Sequence, residues 1–568
     1  IYNRFLLLNE NNYNSVNLNH KYTISNIKSK ITNNVFKVHL KDEDNNEYVK
    51  ESFFKFSPLL DPIKYMVGKY KKLELDKIKE LPKLKDAKCS KKALDTNNSA
   101  YTDAFFSYLS SILLNHYKFP HGLNYYGSFL GIQKEHTINI IDDLEYLYNS
   151  DYFHKHLNTL YETEDIDEEL LEDDTRTHRK KLSFKTDGGG GDMDINCETI
   201  NNDMFKDIFD LTHENVEKHN KKNGLTLEME MENKNNSKKT NSTCSSRSSN
   251  TDNEDEEDED GEGEDGEDGE DGEDGEGEDG EGEDGEGEDG EGELESCSNS
   301  GLSDYSSFNN EMDCIKAKIY NFPVNVICLE KMENTLDSLM EVEKEEDELT
   351  MDEWRSCLFQ IIMTLVVYQK VFKFTHNDLH TNNIMYELTD KKFICYKYNN
   401  VYYKVPTYGK IYKIIDFGRA IYNHSNKVFC SDSFHSKGDA NSQYNFEPYF
   451  NDKKPRLEPN YSFDLCRLGC SIFDYFFDDP IDVEEEDEDI PLLIAEWCLD
   501  DRKKNILYKT NGEERYPDFK LYKMIVRNVH NHVPEKQLDN IAFKRFVVGK
   551  KKMKKMKIFD IDKIPVYH

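Results

Sequence analysis

Two short stretches decide the reading: Thr375-His376-Asn377-Asp378-Leu379-His380-Thr381-Asn382-Asn383-Ile384-Met385 and, further on, Ile414-Ile415-Asp416-Phe417-Gly418. The first follows the clearest helix in the sequence, Thr350 to Phe372. There Thr350 and Glu353 have capping-box spacing, and Leu358, Ile361, Ile362, Leu365 and Phe372 make one apolar face. The second closes an apolar strand. Taken singly, each string is uninformative, because an Asp or Asn after a helix is by default a cap or turn residue. Their order carries the information. An apolar helix delivers a His-x-Asp-x-x-x-x-Asn loop, and a strand then delivers Asp-Phe-Gly.

Working outward, residues 20 to 60 read as strands. Val35 to Leu40 alternates, Asp42 to Asn46 is a turn cluster, and Tyr48 to Phe56 is an aromatic-rich strand. Tyr101 to Asn115 has helical apolar spacing, and 125–132 and 139–147 are buried strand or helix. Pro323 to Met332 contains a short apolar strand, Val324 to Leu329, and Phe463 to Phe477 is again a helix. Asn399-Asn400 places an inserted hairpin over Lys392 to Val405. Strands and one helix therefore precede a mostly helical region, an α+β class.

Between these parts the composition changes. The chain of 568 residues carries a formal net charge of −39, but 29 Asp or Glu and no Lys or Arg lie between Asp252 and Glu295. The remainder holds 83 acids against 73 bases. A high-pI nucleic-acid binder is excluded for the chain as a whole. Four glycines at 188–191, an Asn/Lys/Ser tract at 233–250 and the Glu-Asp-Gly repeat cannot bury enough apolar area to offset ordering entropy, so 162–312 is expected to be a disordered insertion. It is by default a solvated linker, with a basic partner as the sharper reading. No apolar run reaches the roughly 18 residues of a membrane span. Twelve cysteines without a Cys-x-x-Cys pair suit a reducing, intracellular, cytoplasmic setting, with Cys466 and Cys470 as core residues. Lys550 to Lys557 has six Lys in eight residues, read as a solvated helix face, with nucleic acid or targeting as the alternative.

The loop and the Asp-Phe-Gly stretch together resemble the protein kinase superfamily. Phe463-Asp464-Leu465-Cys466-Arg467-Leu468-Gly469-Cys470 is similar to the kinase Asp-x-Trp-x-x-Gly helix, and Val326-Ile327-Cys328-Leu329-Glu330-Lys331-Met332 to its last small-lobe strand and hinge. The resemblance covers about 20–160 and 313–530. It implies a two-lobed kinase-like fold with a small β-rich N-lobe (20–161 and 313–332, interrupted by 162–312) and a larger helical C-lobe (333–568). It also implies ATP and Mg²⁺ as cofactors and a protein substrate. Asp378 would be the carboxylate beside the attacking hydroxyl, with His380 in the same loop. Asn383 and Asp416 would be magnesium ligands, and Glu330 and Met332 would offer backbone groups to adenine. Lys55 would contact phosphate, with Lys50 as the alternative, and Asp464 would brace the loop from behind.

The sequence also departs from that pattern. No Gly-x-Gly-x-x-Gly occurs in 20–40, where Ile24 to Lys30 stands instead. The helix that should supply a glutamate partner for the lysine has Asp103 as its only acid. Asn377 replaces the Arg that answers a phosphorylated activation segment, which implies that such control is absent. His380 stands where most protein kinases carry Lys; Asp-Leu-His is typical of aminoglycoside and choline phosphotransferases and occurs in haspin-type kinases. The Asn- and Lys-rich composition is similar to kinase-like proteins of giant DNA viruses, for which host cytoplasm or virion would be the location. Three functions follow: a Ser/Thr protein kinase, a small-molecule phosphotransferase, or a pseudokinase scaffold.

Overall fold

A computed structural model describes residues 21–70, 75–82, 89–164, 315–341, 348–435, 438–444, 459–477, 480–484, 486–510, 512–517 and 520–567. The tract expected to be disordered lies outside these residues except for its first three, Glu162 to Glu164. Those three run beside a later strand: Glu162 and Thr163 lie opposite Lys318 and Ala317, Glu164 N–H donates to Lys316 carbonyl, and the Glu162 carboxylate accepts from Lys318 and Tyr320.

The chain starts as a meander of β1 (Tyr22–Lys30), β2 (Val35–Asp42) and β3 (Glu47–Pro58). Asp42 Oδ1 accepts from the backbone N–H groups of Asp44 and Asn46, which closes the turn between β2 and β3. After β4 (Tyr125–Asn139) and β5 (Tyr161–Thr163), β6 (Lys316–Glu330) enters the middle of the sheet, giving the antiparallel order β1-β2-β3-β6-β4 with β5 also on β6. Successive side chains alternate between faces. Phe54 and Phe56 meet Val38, Leu40, Tyr126 and Cys328 in a small core on one side. Phe53 and Lys55 are thereby directed to the other. That register is fixed by Phe53 opposite Leu329 and Lys55 opposite Ile327.

Among the described residues, the helices of nine or more residues are α1 (Ser99–Tyr117), α2 (Met351–Phe372), α3 (Phe463–Phe476), α4 (Asp489–Trp497) and α5 (Lys520–Asn528). Asn98 caps α1 by accepting from Ala100 N–H, while its amide donates to the carbonyls of Leu59 and Lys92. Ser, Thr and Ala fill much of α1 between its aromatics, so it is buried nearly all round. Its Phe106 stacks at 4.3 Å on Phe374 and touches Tyr368, Phe417 and Tyr422, so α1 and the later part of the chain share one core. The capping box of Thr350 and Glu353 starts α2 as its sequence pattern predicts, and Lys373 at φ 50° ends it.

Residues 333–568 hold more strand than the expected helical region. β7 (Asn334–Thr335), β8 (Ile384–Leu388) and β11 (Lys410–Ile414) form one small sheet. The expected hairpin is β9 (Phe393–Tyr398) and β10 (Val401–Pro406), turning on Asn399 and Asn400 with both φ positive. β12 (Ile421–His424) and β13 (Lys427–Cys430) form another hairpin, and β14 (Val547–Val548) and β15 (Phe559–Asp560) add to β10 and β9. The Lys550 to Lys557 run forms a 3-10 turn at its start rather than a helix face. Its lysines are exposed while Met553 is buried beneath them. Gly469 lets α3 approach α4 closely: a Cβ there would lie 2.9 Å from Trp497 Cβ. Cys466 and Cys470 are free and buried. Among the described residues no helix is long and apolar enough to cross a membrane.

Candidate functional site

The inward face of β3 directs Lys55 toward α1. Its ammonium lies 2.7 Å from Asp103 Oδ2 and 2.7 Å from Asp416 Oδ1, with the residue only 8% exposed. Burial alone would lower the Lys55 pKa, but the two carboxylates outweigh it and hold the ammonium charged. Burial, with Asp416 nearby, pushes the Asp103 carboxyl above the usual range against the pull of Lys55. Asp103 Oδ1 also accepts from Phe417 N–H at 3.0 Å, so one side chain holds both the lysine and the Asp416-Phe417-Gly418 turn. Asp416 has φ +61°, a left-handed conformation that Asp tolerates better than most residues. Lys50, the alternative, is exposed, with its ammonium over the Tyr22 ring.

Two turns of chain meet beside this cluster. β8 and β11 pair so that Ile384 faces Ile414, and Ile415 N–H donates to Asn383 carbonyl at 3.0 Å, which sets Asn383 next to Asp416. The 375–383 loop is anchored from below by Asp464 on α3, whose oxygens accept the backbone N–H groups of His376 and Asn377 at 2.9 Å each. Burial drives the Asp464 carboxyl up to about 6 despite these donors. Asn377 takes φ +63° and donates to the carbonyls of Thr375 and Arg419. His376 Nε2 bonds Ile415 carbonyl at 2.8 Å.

Asp378 is held from two sides. Tyr522 hydroxyl donates to Oδ1 at 2.8 Å, and Arg419 Nη1 stands 3.6 Å from Oδ2. Although burial raises the Asp378 pKa, Arg419 and its neighbours prevail and keep it below the ordinary carboxylate range. The Asn383 amide nitrogen donates to the Asp378 carbonyl at 2.8 Å and lies 3.1 Å from His380 Nε2. Burial lowers the His380 pKa to about 4, so the ring is neutral near pH 7 and accepts that bond through Nε2.

An open cleft of about 460 Å³ is lined by Phe53, Lys55, Leu329, Met332, Met385 and Asp416. Glu330 borders it, yet its carboxylate is turned to structural use. It pairs with Lys413 and accepts from Asn124 N–H and Nδ2 at 3.0 and 2.7 Å. Glu330 N–H donates to Asn124 carbonyl, also at 3.0 Å. Burial disfavours the charged Glu330, but Lys413 and Asn124 hold its pKa below the usual value. Arg419, Tyr522, Asn124 and Lys413 were not singled out by the sequence. Arg419 directly follows Gly418 and could have been found; Tyr522 lies 144 residues from Asp378 and gives no local signal. A further tie joins the segment after Gly418 to the start of α1: Asp432 pairs with Lys92 and accepts Ser99 N–H at 2.9 Å.

No protein-family model matches the sequence. Over an alignment of 101 positions that takes in 15% of this chain, the sequence is 39% identical to a protein of Dictyostelium discoideum provisionally named a serine/threonine-protein kinase, of which it covers 8%. Two proteins of Acanthamoeba polyphaga mimivirus with the same kind of provisional name are each 33% identical, over 99 and 88 residues. Both matches take in 14% of this chain, and 25% and 19% of those proteins. The chain thus spans a quarter or less of the length of these relatives. Over that stretch it is kinase-like.

Proposed function

We propose that the chain is an ATP- and Mg²⁺-dependent protein kinase with a two-lobed kinase fold, transferring the γ-phosphate to Ser or Thr hydroxyls. The observation that carries this reading is Lys55 between Asp103 and Asp416, beside an Asp378 loop anchored on Asp464. The Lys55 ammonium lines the cleft and can meet a phosphate once a divalent cation offsets the carboxylates that flank it. Both N–H bonds of the Asn383 amide are engaged, so its oxygen is the atom left to offer a cation. With the Asp416 carboxylate it makes a hard oxygen pair that suits Mg²⁺, which takes its other ligands from phosphates and water. Bound Mg-ATP supplies the transferable phosphoryl group and neutralises its charge.

The chain's own residues do the rest. Lys55 orients phosphate. Leu329 and Met332 give adenine an apolar wall. The Glu330 N–H is taken by Asn124, so a contact from that residue uses its carbonyl. Asp378 orients the substrate hydroxyl and receives its proton late; a carboxylate of lowered pKa suits orientation more than strong base action. His380, neutral near pH 7, keeps the Asn383 amide in place.

Incubation with labelled ATP and Mg²⁺, offering dephosphorylated casein and in parallel aminoglycoside and choline acceptors, tests this. Label on protein residues is expected. Label on the small acceptors alone would make the chain a small-molecule phosphotransferase, and no transfer would make it a scaffold.

A further inference from the structure

Behind Asp378 lies a buried polar relay. Tyr522, 3% exposed on α5, donates its hydroxyl proton to Asp378 Oδ1 at 2.8 Å and accepts from Arg467 Nε of α3 at 2.9 Å. Arg467 is itself buried, and its guanidinium carbon stands 5.1 Å from the Tyr522 ring centroid. Phe463 packs on the other part of the ring at 6.0 Å. On the opposite side Arg419, anchored by Asp439 at 3.3 Å, faces Oδ2.

A carboxylate turns about a broad, two-fold torsion, so its own rotamer preference does not hold it at one angle. The Tyr522 hydroxyl, by a hydrogen bond to Oδ1, and the Arg419 charge, 3.6 Å from Oδ2, do so from separate segments. Because Arg467 donates to the phenol oxygen, the O–H is polarised and its proton is committed to Oδ1. That oxygen has a second lone pair, so the bond from Tyr522 leaves room for another donor. The phenol is buried, while the Asp378 side chain keeps 17% of its surface exposed.

We propose that Tyr522 is a positioning residue that fixes the Asp378 carboxylate for the incoming hydroxyl, with Arg467 holding the phenol in turn. This rests on the phosphoryl-transfer reading above.

The test is a double-mutant cycle with casein and labelled ATP. Tyr522→Phe should lower kcat about ten- to a hundredfold, the scale of a hydrogen bond to a charged group, with KM for ATP and casein within about twofold. In the Asp378→Ala background the same change should alter the residual rate less than about twofold, because the acceptor of its hydrogen bond is gone. Arg467→Lys, which loses the fixed Nε donor and keeps the charge, should show a smaller fall that also vanishes with Asp378→Ala. It covers the case in which Tyr522→Phe folds poorly. An unchanged kcat in Tyr522→Phe, or an equal fall in both backgrounds, overturns the inference. A wild-type chain that transfers nothing overturns the kinase reading first and this inference with it.

Discussion

Replacing Lys55 by Met removes the one cation between two buried carboxylates. In the folded chain the Lys55, Asp103 and Asp416 side chains are 10%, 3% and 14% exposed, so little water reaches the two carboxylates in place of the ammonium. Removing one partner of such a pair costs about 3–5 kcal/mol, and here two anions are left facing each other. The strain has one outlet: Asp103, whose pKa burial and Asp416 already raise, can take up a proton. Its folded pKa then stands further above its unfolded value. The stability linked to that proton is complete below about pH 4 and lost as pH rises through the folded pKa. Urea unfolding of Lys55→Met should therefore show a loss of about 3–5 kcal/mol at pH 8 that shrinks by about 1.4 kcal/mol for each pKa unit gained, on going to pH 5. Adding Asp103→Asn should recover much of the loss at pH 8, since the amide oxygen can still accept Phe417 N–H. A loss below about 1 kcal/mol, equal at both pH values, would refute the view that Lys55 neutralises this cluster.

Asp378→Asn should lower phosphoryl transfer by about 10²–10⁴-fold while ATP affinity, measured calorimetrically, stays within about twofold. Asp416→Asn keeps a side chain that tolerates the left-handed backbone and should abolish the Mg²⁺ dependence of ATP binding; titrations with and without the cation decide this. Asp464 is raised by burial to about 6, so its share of stability is present in acid and falls as pH rises through that value. Across pH 4–7 wild type should lose on the order of 2–3 kcal/mol relative to Asp464→Asn, and parallel stability curves would contradict this. Gly469→Ala should lower unfolding free energy by about 1–3 kcal/mol, because its methyl would meet Trp497.

Local signals made the strands of 20–60, the apolar part of β6, α2 and the 375–383 loop legible, since each rests on periodicity or a cap within a few residues, whereas 125–132 stayed open between strand and helix. Lys55 could be preferred over Lys50 within an aromatic strand, and Asp103 stood out as the only acid on its helix. Features made by pairing distant segments were not legible. β14 and β15 have two residues each and no period, yet they complete the sheet around the Asn399-Asn400 hairpin. A lysine run interrupted only by Met553 and Met556 carries little face preference, so its 3-10 turn follows from burying Met553. The composition shift at 162 missed that Glu162 had partners on a strand far ahead. Glu330 was read for its backbone, whereas its side chain meets Lys413 and Asn124 across three separate segments.

The place of β6 in the sheet has a consequence for how the chain is made. β3 and β4 do not pair with each other; each pairs with β6, which follows β5 by about 150 residues. At about 5–20 residues per second, a ribosome needs on the order of 10–30 s to cross that interval. Throughout it the emerging meander and β4 wait for the strand that joins them, a condition under which nascent chains can pair wrongly or recruit chaperones. Loop-closure entropy grows only logarithmically with length, so the delay weighs little on the finished fold. Its burden falls on synthesis: a chain with a shorter span between β5 and β6 would reach the same sheet sooner and leave fewer molecules lost on the way.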